Sequence, residues 1–441
     1  VNSLSRLAGK AFALRISGAA MTYIFVVAMA HNMRIEDFGV VGALMSSALL
    51  FSVIGCSGQQ MAILRFVPAF LEKNDQENAC SFTLRALRVG GLGNLLVFVG
   101  MAICVCIGSA FDWNTRLGPT LLGLLIIPLT GIIDLQSHIA RAHHSIVLAL
   151  LPKDVLWRFL SLLILLTCIR RAGYLQLNFV ISVLILVLLA LILGQGALLS
   201  SRHGTHSFLQ AVRERPQLPP SQAWRNALLP LWISSVVALL FTNLDVILVG
   251  ALIGKEDAGF YFAANRLALV PSLFLISYSI VAGPLFSGHF EAGRISELKN
   301  LTRRAAVHVF MPSMCVALVL AVFARPALSL FGEEFSEAAY VLRWLLLASL
   351  LNASFGPNDL ILIMCGQEKL AMWSALCATV MGCATITCGA LLNNTVLVAQ
   401  MVCFSVAFAR LLSWLMVWIT KCDLSDGQAF KKLNLLVEPA A

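Results

Sequence analysis

Apolar residues in this chain come in long, nearly unbroken runs, and the polar and basic residues fall between them. Runs of this kind cover 12–30, 39–66, 89–110, 119–139, 154–172, 174–199, 228–252, 259–286, 305–323, 339–364, 371–391 and 396–420. A helix needs about 20 apolar residues to cross the hydrocarbon of a bilayer, so the pattern predicts twelve membrane spans. The second and eighth run long, which predicts ends that project beyond the hydrocarbon. Strict apolar–polar alternation is absent, which excludes an outer-membrane barrel. Segments 72–88 and 291–304 read as basic amphipathic helices lying on the inner membrane surface. Pro128, Pro230, Pro271, Pro312 and Pro357 interrupt spans, where neighbours or water must satisfy the freed carbonyls.

Composition narrows the class. The chain is 59% hydrophobic and 12% charged, with a mean hydropathy of +0.87, whereas soluble domains carry about 25% charged residues. Only a polytopic helical membrane protein fits. The net charge of +9 does not imply nucleic acid, because the basic residues recur at span ends as orientation signals do. Of the 31 Lys and Arg, Arg34, Arg116, Arg170, Arg171, Lys255, Arg325 and Arg343 fall on one face, Arg65, Arg266 and Arg410 within spans, and the rest on the N-terminal face. Both termini are therefore expected in the cytoplasm. The opening residues NSLSRLAGK lack the flank and cleavage site of a signal peptide. The 12 cysteines are scattered without a C-x-x-C, as expected of small thiols packed between helices. No phosphate-binding G-x-x-x-x-G-K-[ST] occurs, and neither face has a loop large enough for a soluble catalytic domain. The expectation is a non-enzyme with no bound cofactor. His143-His144 and His203-x-x-His206 have no acidic or Cys companions, so no metal site is expected.

The longest polar connection within the bundle, 201–225, carries Pro216, Pro219 and Pro220. It predicts an N-terminal six-helix lobe over 1–200, a cytoplasmic linker over 201–225, a C-terminal six-helix lobe over 226–421 and a cytoplasmic tail over 422–441. The halves repeat. Glu36-Asp37-Phe38-Gly39 is matched by Glu256-Asp257-Ala258-Gly259, Ile16-Ser17 by Ile233-Ser234, and the basic stretch after Pro68 by the one after Pro284. An even number of spans per half gives the repeats the same orientation, a transporter pattern.

Ionisable residues inside spans are costly and mark function by default. Asp245 and Arg266 stand at similar depth on either side of the turn at 254–257. They form either a structural ion pair or a pair that a substrate or coupling cation can open. Asp134 and Arg158 repeat that hairpin geometry in spans four and five, where a structural pair is expected. Arg15 and Arg65 lie near the inner ends of spans one and two, either reaching for the interface or facing inward. Arg410 is mid-span and points at a cavity or at an acid such as Asp359. Asn243, Asn265, Gln59, Gln60, Asn94, Gln136 and Asn352 are helix–helix hydrogen bonders or cavity contacts.

On Asn243-Leu-Asp245-Val-Ile-Leu-Val-Gly250, on Glu256-Asp-Ala-Gly-Phe-Tyr-Phe-Ala-Ala-Asn-Arg266, on Pro284 with its basic follow-on and on the fainter Asp37-Phe-Gly39, the chain resembles the polysaccharide flippases of the MOP superfamily (Wzx-type O-antigen and exopolysaccharide transporters). The resemblance implies an all-α protein of two pseudo-symmetric six-helix lobes around a central cavity. It implies flipping of an undecaprenyl-diphosphate-linked oligosaccharide across the bacterial inner membrane, with the bilayer, a polysaccharide polymerase and glycosyltransferases as partners. Arg suits a diphosphate because its planar fork stays charged and bonds bidentately. Arg266, Arg15, Arg65, Arg410, Asn243 and Asn265 are then substrate-binding candidates. Asp245 and Asp134 are candidates for H+ or Na+ coupling or for structural pairing. A multidrug or cation antiporter of the same superfamily would need an acidic interior. A membrane polymerase or glycosyltransferase would need a sizeable outer loop or clustered outer carboxylates.

Overall fold

The structure is a computed structural model that describes residues 2–72, 75–110, 117–143, 145–172, 174–203, 222–276, 278–279, 295–355, 358–364 and 368–425. Among these residues every regular element is helical. Helix α1 spans Asn2–Asn32, α2 Ile35–Cys56, α3 Gln59–Glu72, α4 Gln76–Ala110, α5 Leu117–Leu124, α6 Ile126–Ala142 and α7 Ile146–Leu150. A π-helical turn, Leu151–Leu156, joins α7 to α8 (Trp157–Ala172), and α9 covers Leu177–His203. The second half holds α10 (Gln222–Leu248) with a π turn at Val249–Ile253, then α11 (Lys255–Ala268) and α12 (Ile295–Val322). It continues with α13 (Ala324–Ser329), a 3₁₀ turn at Glu333–Ala338, α14 (Ala339–Ser354), α15 (Asn358–Met364), α16 (Glu368–Leu391) and α17 (Thr395–Ser425).

Seven of the described helical stretches are long and apolar enough to cross a membrane: Ala13–Asn32, Ile35–Cys56, Gln76–Gly108, Leu117–Ala142, Leu177–Ser201, Leu370–Leu391 and Thr395–Val417. Helices that are shorter or interrupted stand at the other expected positions. The outward faces are apolar: Leu92, Leu96, Ile103 and Ile107 of α4 and Leu186 and Leu193 of α9 are exposed, Leu96 and Leu193 each to 72%. Exposed aliphatic surface on this scale is unfavourable against water and neutral against lipid. Cys104, Cys106, Cys315, Cys377 and Cys388 also lie on exposed faces rather than between helices. A thiol is apolar enough to meet hydrocarbon, which the expectation of interior packing overlooked.

Three expected boundaries are corrected. The run 39–66 is not one helix: Ser57 (φ 49°) and Gly58 (φ 76°) adopt left-handed backbone and separate α2 from α3. Gly58 is required there, since a Cβ would lie 2.8 Å from the carbonyl oxygen of Leu228. The segment 72–88 is not a separate surface helix. From Gln76 it is the first part of α4, and Ala79, Phe82 and Ala86 pack with Ile63, Val67, Leu135 and Ile139 in a buried core. From Ile295 the segment 291–304 is likewise continuous with α12, and residues 291–294 lie outside the described set.

By packing, residues 1–266, 325–339 and 390–395 form one unit and residues 267–324, 340–389 and 396–441 another. Within the first unit α10 packs along α2 and α3, and the two E-D-x-G helix starts cross. Each start places its Glu-Asp pair in the first turn, at the positive end of the helix dipole. A Cβ on Gly39 would lie 1.9 Å from the Lys255 carbonyl oxygen, and one on Gly259 2.7 Å from that of Ile35. Phe38 packs edge-on against Phe262 and Phe335 beside this crossing.

Candidate functional site

The site begins with Pro152. A proline has no N–H to give the carbonyl four residues back, and the chain answers with a π turn. The carbonyl oxygen of Leu148 instead accepts from Gln195 Nε2 at 2.8 Å, and that of Ala149 from Ser137 Oγ at 2.7 Å. Arg158 Nη1 donates to the carbonyls of Asp154 (3.0 Å) and Lys153 (3.4 Å). The widened turn sends neighbouring side chains to different helices, and π turns are frequent at functional sites. Lys153 reaches Asp134 on α6, and Asp154 reaches Arg15 on α1 with 3.7 Å between Nη1 and Oδ2.

Asp134 is buried and fully engaged. Lys153 Nζ donates to Oδ1 and Gln60 Nε2 to Oδ2. His138 Nδ1 lies 2.7 Å from the Asp134 carbonyl oxygen and so carries the proton on that nitrogen. The expected Asp134–Arg158 pair is therefore corrected to Asp134–Lys153. Arg158 donates instead to backbone carbonyls and lies over the Trp157 ring, whose centroid is 5.2 Å from its guanidinium carbon.

Asp245 is held differently. Its Oδ1 accepts the Val246 N–H at 2.8 Å, and Oδ2 accepts Tyr261 OH at 2.9 Å and Asn265 Nδ2 at 3.0 Å. Tyr261 and Asn265 stand four apart on one face of α11. Arg266, one residue on, points about 100° around the helix and lies over the Phe262 ring, 4.5 Å from its centroid. Asp245 and Arg266 are within electrostatic range but make no ion pair among the described residues. Arg266 is also within electrostatic range of Arg158. Both guanidiniums carry a buried Nε without a hydrogen-bond partner.

The remaining candidates are placed as follows. Asn243 Nδ2 donates to the Leu239 carbonyl (3.2 Å) and to Thr242 Oγ1 (3.0 Å) within its own helix. Arg410 donates to Asp359, which also accepts Ser413 Oγ at 2.6 Å. Gln136 and Asn94 act between or along helices, Gln136 Nε2 on the Ile192 carbonyl at 3.2 Å and Asn94 Nδ2 on that of Gly90 at 2.8 Å. The side chain of Arg65 lies outside the described residues. Lys153, Asp154 and Arg141 were missed in sequence. The visible signal is Pro152 closing the short apolar stretch 146–151, with two charges directly after it.

A family model described as polysaccharide biosynthesis protein matches residues 11–290. The teichuronic acid biosynthesis protein TuaB of Bacillus subtilis is 28% identical over 199 residues, 44% of this chain. The match spans 40% of that relative's length. Among solved structures, an inward-facing multidrug resistance MATE family transporter of the MOP superfamily superposes with a TM-score of 0.71 at 13% identity, over 94% of this chain and 99% of that one. An outward-facing structure of a MATE family transporter of the same superfamily gives 0.63 at 14% identity, over 95% and 96%. The fold is thus that of MOP-superfamily transporters, an all-α multi-pass membrane architecture.

Proposed function

Since the chain belongs to the polysaccharide biosynthesis protein family, we propose that it is a transporter of that pathway. It flips an undecaprenyl-diphosphate-linked oligosaccharide from the inner to the outer leaflet of a bacterial inner membrane. The lipid tail stays in hydrocarbon, while the diphosphate and glycan need protein to cross. The observation that carries the reading is the pair Arg158 and Arg266: two guanidiniums within electrostatic range of each other, each with an unpartnered buried Nε. Like charges gathered at membrane depth are unfavourable alone and become favourable when an anion lies between them.

In this reading the lobes 1–200 and 226–421 alternate between inward and outward openings, with both termini and the 201–225 linker cytoplasmic. Asp245, whose three named donors are all neutral, takes the coupling cation, H+ or Na+. Glycosyltransferases supply the substrate and a polymerase consumes the product. The acidic interior that a cation antiporter needs is at odds with Arg15, Arg141, Lys153, Arg158 and Arg266 standing beside Asp134, Asp154 and Asp245 in one unit.

The test is glycan export in cells lacking the native gene. Arg266→Ala, made at normal level, is expected to export at least tenfold less, because a charge-assisted bond contributes about 1.5–3 kcal/mol. Arg266→Lys is expected to recover part of the activity. Wild-type export by Arg266→Ala would reject the assignment.

A further inference from the structure

Asp154 has surroundings that its ion pair with Arg15 does not explain. Arginines of three helices surround it: Arg15 on α1 lies 3.7 Å from its carboxylate, Arg158 on α8 donates to its main-chain carbonyl at 3.0 Å, and Arg141 on α6 is within electrostatic range. Yet Oδ2 is buried and accepts no hydrogen bond, and the Arg15 contact at 3.7 Å is charge proximity only. Arg141 makes no ion pair with any described residue and lies within electrostatic range of Arg15, Asp134 and Asp154. The Arg15 side chain is 40% exposed and that of Asp154 17%, so the cluster opens outward on its Arg15 side. Close packing fixes the backbone and Cβ of Asp154, not its carboxylate: a Cβ on Gly18 would lie 2.9 Å from the Asp154 Cβ and 3.1 Å from its carbonyl oxygen. The adjacent cation Lys153 is already matched by Asp134.

We propose that Arg15, Arg141 and Arg158 form a lipid-diphosphate acceptor site in which the Asp154 carboxylate is a built-in competitor, displaced when the diphosphate arrives. Arg15, Arg141, Arg158 and Lys153 against Asp134 and Asp154 leave two positive charges over, and a lipid diphosphate carries at least one negative charge on each phosphate. A guanidinium prefers bidentate phosphate to a carboxylate too distant to hydrogen-bond. The competitor lowers the cost of holding three cations together when the site is empty, and it weakens binding enough for release. The inference rests on the transport reading and adds to it a loading site made of groups outside the Asp245–Arg266 hairpin.

The experiment uses the full chain in phosphatidylcholine nanodiscs, with farnesyl diphosphate as the probe and calorimetry as the readout. Asp154→Asn is expected to bind the probe about tenfold more tightly than wild type, and Arg141→Gln about tenfold more weakly. Arg141→Gln breaks no described ion pair, so it keeps the test open if Asp154→Asn misfolds. Inorganic diphosphate is expected to compete with the probe, and failure to compete would mean that the tail alone is recognised, overturning the proposal. Phosphatidylglycerol nanodiscs are expected to leave binding within about threefold of the phosphatidylcholine value. Abolished binding there would make this a phospholipid headgroup site and overturn it too. A merely structural Asp154 predicts weaker or unchanged binding in Asp154→Asn. If Arg141→Gln and Asp154→Asn both bind like wild type while Arg266→Ala stops export, the loading site falls and the transport reading stands. If wild type binds no probe, the loading site falls, and the export assay alone decides the transport reading.

Discussion

Asp134 and Asp245 are buried carboxylates in the same packing unit, yet they are held in opposite ways. Asp134 is matched by a lysine from the π turn and a glutamine from α3. Asp245 is held by a tyrosine, an asparagine and a backbone N–H, none of them charged. A carboxylate matched by a cation is part of the scaffold, since removing either partner strands the other in a poor solvent for charge. A carboxylate ringed by neutral donors can gain a mobile cation without expelling one. In the proposed mechanism the first carboxylate builds the site and the second takes part in the cycle.

The largest expected effect breaks the first arrangement. Asp134→Ala is expected to lower stability by about 3 kcal/mol by stranding Lys153, measured as unfolding in detergent. Adding Lys153→Met to that variant is expected to recover more than half of the loss. If Asp134→Ala costs no more than Asp245→Asn, the contrast is void. Next in size, Asp245→Asn is expected to cost about 1 kcal/mol, while transport in vesicles loses its response to pH or sodium. A response that survives in Asp245→Asn would remove Asp245 from coupling. The smallest effect is Tyr261→Phe, which takes away one neutral donor. It is expected to cost under about 1 kcal/mol and to keep the coupled response, moved along the pH or sodium axis.

Much of the fold was legible because apolar runs and basic span ends follow from the bilayer as solvent. The E-D-x-G repeat was visible too, and the structure packs its two copies together at Gly39 and Gly259. The acid near Arg410 was also nameable, and it is Asp359. What failed were partners whose direction depends on fine helix geometry. Arg158 was matched to Asp134 by depth, but the π turn after Pro152 shifts the register and delivers Lys153 instead. Asp245 and Arg266 were matched by depth as well. Asp245 meets the Tyr261–Asn265 face, and Arg266 follows Phe262 on the next face round. Depth is fixed by counting residues from a turn, whereas direction changes by about 100° with each residue.

The proposed mechanism carries an anionic head through the membrane on fixed cations. Its most direct measurement is the flipping rate in proteoliposomes of a polyprenyl-diphosphate-linked saccharide against the same saccharide on the phosphate-free polyprenol. The expected result is at least tenfold faster movement of the diphosphate form, with that preference lost in Arg266→Ala. Equal rates for the two lipids, or a preference that survives Arg266→Ala intact, would contradict the account.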